Sequence, residues 1–420
     1  MAARAPWRNP PPLTGRKCPP QEKMRAGKFS RISGLTSPGP IINQPHTVGD
    51  RPQGVAGDCN SLAETHAWFD SKVAHHFSRT MTRPPAQPAP ACFRSVFRHL
   101  LLCFPQDTED QALKIAVMGA GALGGYFGGR LAQAGHEVTL IARGAHLEAL
   151  RRNGLTIRSP KGDAHLPGIG ASGDPAEVGP VDTVLFMVKN IDVEPAAEAI
   201  RPMLTPETAV VTCQNGITAW ERLAAAIGAQ HVIPGVARIP GHIAKPGVIA
   251  HTAPFDMLTF GEAGGGISPR CEMLAEALTE ARTTPVLHEN ILIDLWTKFC
   301  GQSTMASMTT LTGLDMGPLR ATAESRALFR AAVEEAVAVA RAVRPDMPAD
   351  TAETVWGFLE GLPDHMHASM LDDLRNGKPL EHEYLSGDLV RAGASHGVPT
   401  PIHSVLYAAL KPIAEAQMSG

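Results

Sequence analysis

The sequence has no run of 18 apolar residues and no secretory hydrophobic region near its start. These absences predict a protein that neither spans a membrane nor is exported. Cysteine is sparse: there are seven, an odd number, with no C-x-x-C pair, which predicts reduced thiols in the cytoplasm and no metal site. An excess of one charge is also missing. Lys plus Arg number 38 and Asp plus Glu 41, for a formal net charge of −3, so there is no global electrostatic case for a nucleic-acid or membrane partner. What is present is 420 residues with 44% hydrophobic content. That is enough for two or three domains with real cores.

The chain is not uniform. Residues 1–110 hold 15 of the 36 prolines and four of the seven cysteines, with 14 Lys plus Arg against 8 Asp plus Glu. They show no sustained period of 3.6 or 2, apart from a short apolar run at residues 97–104, so no packed domain is predicted there. The acid-free stretch before Glu22 is like that of a transit peptide, but it lacks a convincing amphipathic helix and is broken at Pro10, Pro11, Pro12, Pro19 and Pro20. A disordered tail or translated upstream sequence over residues 1–112 is the expectation.

The most informative stretch is KIAVMGAGALGGYFGGRLAQAGHEVTLIAR at residues 114–143. It reads as strand, glycine turn, helix and second strand, the order a dinucleotide site requires. In the loop Gly119, Ala120, Gly121, Ala122, Leu123, Gly124, the first glycine permits the tight turn. The second lets the backbone approach a pyrophosphate, and the third lets helix and strand pack closely. The residue closing the second strand discriminates between cofactors. An NAD site usually places Asp or Glu there, roughly 20 residues beyond the glycines, to accept the ribose 2′-hydroxyl. Here the position is Arg143, and no acid lies between Thr139 and Leu147. A guanidinium can pair with a 2′-phosphate, so NADPH is the predicted cofactor.

Compact apolar runs at residues 155–158, 181–189 and 209–213 suit buried parallel strands. Ligands of such sheets bind beyond the carboxyl ends of the strands, where Lys189 and the Gln214, Asn215, Gly216 turn stand. Residues 232–239, 247–251 and 257–261 predict strands meandering antiparallel on the sheet edge. From Asn290 helices dominate: one long alanine-rich helix over residues 318–343, then 349–359, 383–394 and 401–416. The expected architecture is α/β, an N-terminal Rossmann dinucleotide-binding domain over residues 113–287 and a C-terminal all-helical domain over 288–420. The cleft between them is the natural place for a small substrate.

From Lys114 onward the chain resembles the ketopantoate reductases, which join a Rossmann domain to a helical domain like that of 6-phosphogluconate dehydrogenase. The resemblance lies in GAGALG, Arg143, the Val188-Lys189 and Asn215-Gly216 pairs, LWTKF at 295–299, SMLDDLRNGKPLEHEYLSG at 369–387 and GVPTPIHSVLYAAL at 397–410. It implies NADPH-dependent reduction of 2-dehydropantoate to (R)-pantoate, a step toward pantothenate and coenzyme A. It further implies that Lys298 is the general acid and that Glu381 contacts the substrate hydroxyl. Ser369 would help hold the substrate carboxylate, and Asn215 would lie between cofactor and substrate. A small 2-oxo acid is thus the expected partner, and a homodimer is allowed for.

Elementary chemistry agrees with these roles. Hydride addition to a ketone leaves charge on oxygen, so a donor that can release a proton near neutrality must lie within hydrogen-bond reach. Lysine qualifies if burial and nearby cations lower its pKa from about 10.4. Taken alone, Lys298 would read as a lysine whose stem covers Trp296, and Glu381 as a first-turn helix acid. The sequence departs from the family in the run KFCGQSTMASMTTLTG. Asparagines are common one and two turns after the lysine, but here Gln302 and Ala306 occupy those positions. Ser386 and His403 replace two further asparagines. Gln302 keeps an amide donor for the substrate and Ala306 does not, so the reaction type is better defined than the acid it acts on. Two other readings stay open: a reductase of another 2-oxo or 3-hydroxy acid on this fold, and a non-catalytic NADP-binding sensor.

Overall fold

The structure, a computed structural model, describes residues 112–419. The tail expected over residues 1–112, with its apolar run, lies outside that range except for Ala112. The sheet-bearing part begins with β1 (Lys114–Met118), α1 (Ala122–Gln133), β2 (Glu137–Ile141) and α2 (Gly144–Asn153). It continues through β3 (Leu155–Arg158), β4 (Ala164–Leu166), β5 (Gly170–Ser172), β6 (Thr183–Phe186), α3 (Val193–Ala199), β7 (Ala209–Thr212) and α4 (Ala219–Ile227). It closes with β8 (Val232–Arg238), β9 (Gly241–Lys245), β10 (Val248–His251), β11 (Met257–Phe260), α5 (Pro269–Glu280) and β12 (Thr284–Leu287).

The main sheet has the order β12-β11-β8-β7-β6-β1-β2-β5. Every neighbouring pair is parallel except β8 with β11. All four residues of β6 and of β7 are buried, as in a sheet covered on both faces, which is why these strands read as continuous apolar runs. The chain leaves β1 toward β2 and later returns to β6 on the other side. The strand order therefore reverses between β1 and β6, the place where such sheets bind ligands.

The antiparallel meander expected over residues 232–261 is only partly formed. β8 joins the main sheet parallel to β7 and antiparallel to β11. β10 leaves it for a second, four-stranded sheet of order β4-β3-β10-β9. There it runs parallel to β3 with Ile249 opposite Ile157. The physical reason lies in α1, whose glycines let a sheet approach on each side. A side-chain carbon on Gly128 would press on Val117 and Leu140 of the main sheet, and one on Gly129 on Ile157 and Leu155 of the second. Gly125 faces Ile249 in the same way. Ile249, Ile157 and Leu155 are fully buried as a result.

The helical part comprises α6 (Ile291–Thr312), α7 (Met316–Ala321), α8 (Ala323–Val343), α9 (Thr351–Glu360), α10 (Ser369–Arg375), α11 (Ser386–Ser395) and α12 (Pro401–Ser419). α6 is its axis, packing on α8, α9, α10, α11 and α12 and also on β8. The single helix expected over residues 318–343 is two. Thr322 is extended (φ −97°, ψ 141°), ending α7 and capping α8, with its hydroxyl accepting from the Ser325 N–H. A threonine favours such a cap over a helix interior, and the surrounding alanines conceal it. The helix expected from residue 383 starts at Ser386, because His382–Tyr384 form a separate 3-10 turn. Glu381 is consequently not a first-turn acid of a long helix. It stands ahead of that short turn. Among the described residues, no helix is long and apolar enough to cross a membrane.

Candidate active site

The glycine loop closes β1 on the edge where the strand order reverses. Gly119 has φ +100°, a conformation side chains disfavour, and an added carbon there would touch the Met187 and Val188 backbone at 3.0 Å. A carbon on Gly124 would collide with the Gly119 carbonyl oxygen and lie 2.7 Å from Val117. Gly121 differs from both, since nothing in the protein lies within 4 Å of where its side chain would be. Gly119 and Gly124 are therefore small because the protein crowds them, whereas Gly121 borders open space. Gly121 also caps α1, whose first turn contains no acid. The backbone N–H groups of a first turn lack intrahelical partners and attract anions, so the loop fits a pyrophosphate.

Arg143 follows β2 and caps α2. Its guanidinium is 67% exposed and lies 3.2 Å from Asp192. It remains available to a nucleotide phosphate, but with an acid beside it that belongs to another segment of sequence.

Lys298 sits on α6 and points at the ends of β7 and β8. Its Nζ donates to Asn215 Oδ1 at 2.8 Å and to the Ala237 carbonyl at 2.9 Å. An ammonium has three N–H groups, so one remains for a substrate oxygen. Burial, followed by the positive charge of Arg238, lowers the Lys298 pKa to about 8. Arg238 is locked in place by Asp294, one turn before Lys298 on α6, through contacts of 2.8 and 2.5 Å. Trp296 and Phe299 pack edge-to-face within the helical core.

A second group of contacts ties the helical part to the carboxyl end of β6. Lys189 Nζ lies 2.5 Å from Asp373 of α10. The next residue, Asn190, donates its backbone N–H (2.8 Å) and its amide (3.0 Å) to Glu381 Oε1. Gly216 completes the junction, for a carbon added to it would be 3.1 Å from both Asn190 Oδ1 and the Tyr384 carbonyl. A line of contacts thus runs from Lys298 through Asn215 and Gly216 to Asn190 and Glu381. Lys189, anticipated as a cofactor contact, is paired with Asp373 of α10. Gln302 is half-buried one turn beyond Lys298, and Ser369 is exposed one turn before Asp373.

The remaining departures from the family pattern lie inside the helical core. Ala306 is fully buried among apolar side chains. His403, also fully buried, contacts Glu335 at 2.8 Å and Thr304 at 3.3 Å. Ser386 donates to the His382 carbonyl at 3.3 Å. Sequence reasoning missed Asp192, Asn190, Arg238, Asp294 and Asp373. Asp294 alone carried a local signal, its spacing of four residues from Lys298 on one helix face. Among the described residues, no group of three or more His, Cys, Asp or Glu is placed to hold a metal ion.

A parallel sheet with a glycine loop at its switch point, facing a lysine held on an adjoining helix, defines a dinucleotide-dependent oxidoreductase. Comparison with known proteins gives the family. The profile described as Ketopantoate reductase PanE/ApbA matches residues 115–265, and its C-terminal counterpart matches residues 290–414. The chain belongs to the ketopantoate reductase family, whose members are oxidoreductases acting on CH–OH groups. It is 31% identical over 323 residues to the 2-dehydropantoate 2-reductase of Mesorhizobium japonicum, covering 72% of this chain and 98% of that one. It is similar to the crystal structure of a PanE/ApbA family ketopantoate reductase from Ralstonia eutropha JMP134, with a TM-score of 0.68 and 33% identity, covering 73% and 100% of the two chains. It is also similar to D-mandelate dehydrogenase in complex with NADH, with a TM-score of 0.64 and 25% identity over 73% and 100% of the chains.

Proposed function

We propose that the protein is an NADPH-dependent 2-dehydropantoate 2-reductase, forming (R)-pantoate on the way to pantothenate and coenzyme A. The observation that carries the reading is Lys298, an ammonium with a pKa of about 8 held by Asn215 and the Ala237 carbonyl, with one N–H left over. The GAGALG loop and Arg143 would hold the dinucleotide, which when bound supplies a hydride to the ketone carbon. Lys298 would give its proton to the carbonyl oxygen, neutralising the charge that develops there. Glu381 would accept the substrate hydroxyl, and Ser369 and Gln302 would contact the carboxylate end. Asn215, already on Lys298, would face both cofactor and substrate.

A second reading, reduction of a different 2-oxo acid, is favoured by Gln302 beside Lys298 and by the likeness to D-mandelate dehydrogenase. Oxidation of NADPH measured across a panel of 2-oxo acids tests both. The proposal expects the highest kcat/KM with 2-dehydropantoate. A higher value with an aryl or unbranched acid would select the second reading, and nucleotide binding without turnover of any acid would make the protein a sensor.

A further inference from the structure

We infer that Asp192 is a specificity-determining residue that narrows the protein's preference for NADPH over NADH. The inference rests on the reading of Arg143 as the partner of the 2′-phosphate. Asp192 is the residue immediately before α3, where an aspartate ordinarily accepts a first-turn N–H. It makes no such capping bond. Its carboxylate instead turns to the Arg143 guanidinium, at 3.2 Å, across 49 residues of sequence. The two side chains are 67% and 31% exposed, so both are open to a ligand.

This arrangement acts on the two nucleotides in opposite directions. A 2′-phosphate approaching Arg143 meets a cation already partly neutralised, and it comes close to a like charge, so NADPH loses affinity. A 2′-hydroxyl needs an acceptor, the role an acid at the end of the second strand fills in NAD sites. Here Arg143 follows the second strand, and Asp192, from the segment between β6 and α3, supplies the carboxylate beside it. The pair therefore offers a cation to one nucleotide and an anion to the other. Because the pair is exposed, its effect is modest and screened by salt.

The test is the dissociation constant of each nucleotide, read from the change in reduced-nicotinamide fluorescence without substrate, for wild type, Asp192→Asn and Arg143→Ala. Asp192→Asn keeps the shape and removes the charge. It should tighten NADPH by roughly 2–5-fold, as removal of an exposed charge interaction allows, and should weaken or leave NADH unchanged. The gain should shrink as salt is raised. An unchanged ratio of the two constants, or a shift toward NADH, would overturn the inference. Arg143→Ala separates this from the reading beneath it. A loss confined to NADPH, with an unmoved ratio in Asp192→Asn, sinks the role of Asp192 alone, whereas equal losses for both nucleotides sink the phosphate role of Arg143.

Discussion

The proton donor proposed at Lys298 depends on an energetic balance at one nitrogen. Withdrawal from water and the charge of Arg238 disfavour the ammonium, while Asp294 favours it more weakly, and the outcome is a pKa of about 8. An unperturbed lysine would hold its proton too firmly near neutrality to be an effective acid. Lys298→Ala should lower kcat by roughly 10²–10⁴-fold, with a much smaller effect on NADPH affinity. The sign of the pH dependence follows from the donating form. Only protonated Lys298 can act, so the rate of the chemical step should be full below its pKa and fall as pH rises through about 8. Single-turnover measurements check this, and a flat alkaline limb would assign the proton to another group. The residue types at this centre were legible in sequence: Lys298, Asn215 and Glu381 stand in motifs. Their partners were not, because Arg238 beside Lys298 and Asn190 on Glu381 come from segments whose approach depends on strand order and helix packing.

Helix α1 is the element on which the nucleotide site and both sheets depend, and its glycines are not equivalent. At Gly124 an added methyl meets the Gly119 carbonyl, a backbone atom of the phosphate loop. At Gly129 it meets the ends of Ile157 and Leu155, each 2.7 Å away on side chains that can turn aside. Gly124→Ala should destabilise the protein by about 2–3 kcal/mol, as overpacking against a rigid neighbour does, and weaken nucleotide binding. Gly129→Ala should cost less than about 1 kcal/mol, because helix propensity offsets the remaining strain, and leave nucleotide affinity unchanged. Denaturant unfolding with nucleotide titration distinguishes the two, and equal effects would contradict this division of roles. The same helix shows why part of the fold was readable and part was not. Strand, loop, helix and strand over residues 114–141 are set by local spacing. The pairing of β10 with β3 is set by Ile249 meeting Ile157 beside Gly125, a contact between distant segments that no local period announces. The break at Thr322 failed differently, since a lone cap within an alanine-rich stretch is a weak signal against strong helix propensity.

Across the described part of the molecule, every contact assigned to the nucleotide loop, Arg143, Lys298 and Glu381 joins residues between 117 and 384. The Mesorhizobium relative is matched over 98% of its length by 72% of this chain, and the two family profiles begin at residue 115 and end at 414. The part that the family shares is therefore the part described, residues 112–419. A chain shortened to begin at Gln111 should therefore keep its thermal midpoint and its kcat, because every contact described at the site lies within the residues it retains. Charge calls for one control. Residues 1–110 carry 14 Lys plus Arg and 8 Asp plus Glu, so shortening removes net positive charge from a protein whose proposed nucleotide and substrate are both anions. At low salt this would slow their association through long-range electrostatics alone, and at physiological ionic strength, with a screening length of about 8 Å, the effect should largely vanish. The comparison belongs at the higher salt. A midpoint lowered there by more than about 3 °C, the size of a loss of roughly 2 kcal/mol for about 300 folded residues, would show that the first 110 residues stabilise the enzyme. A lowered kcat with an unchanged midpoint would show that they contribute to the reaction itself.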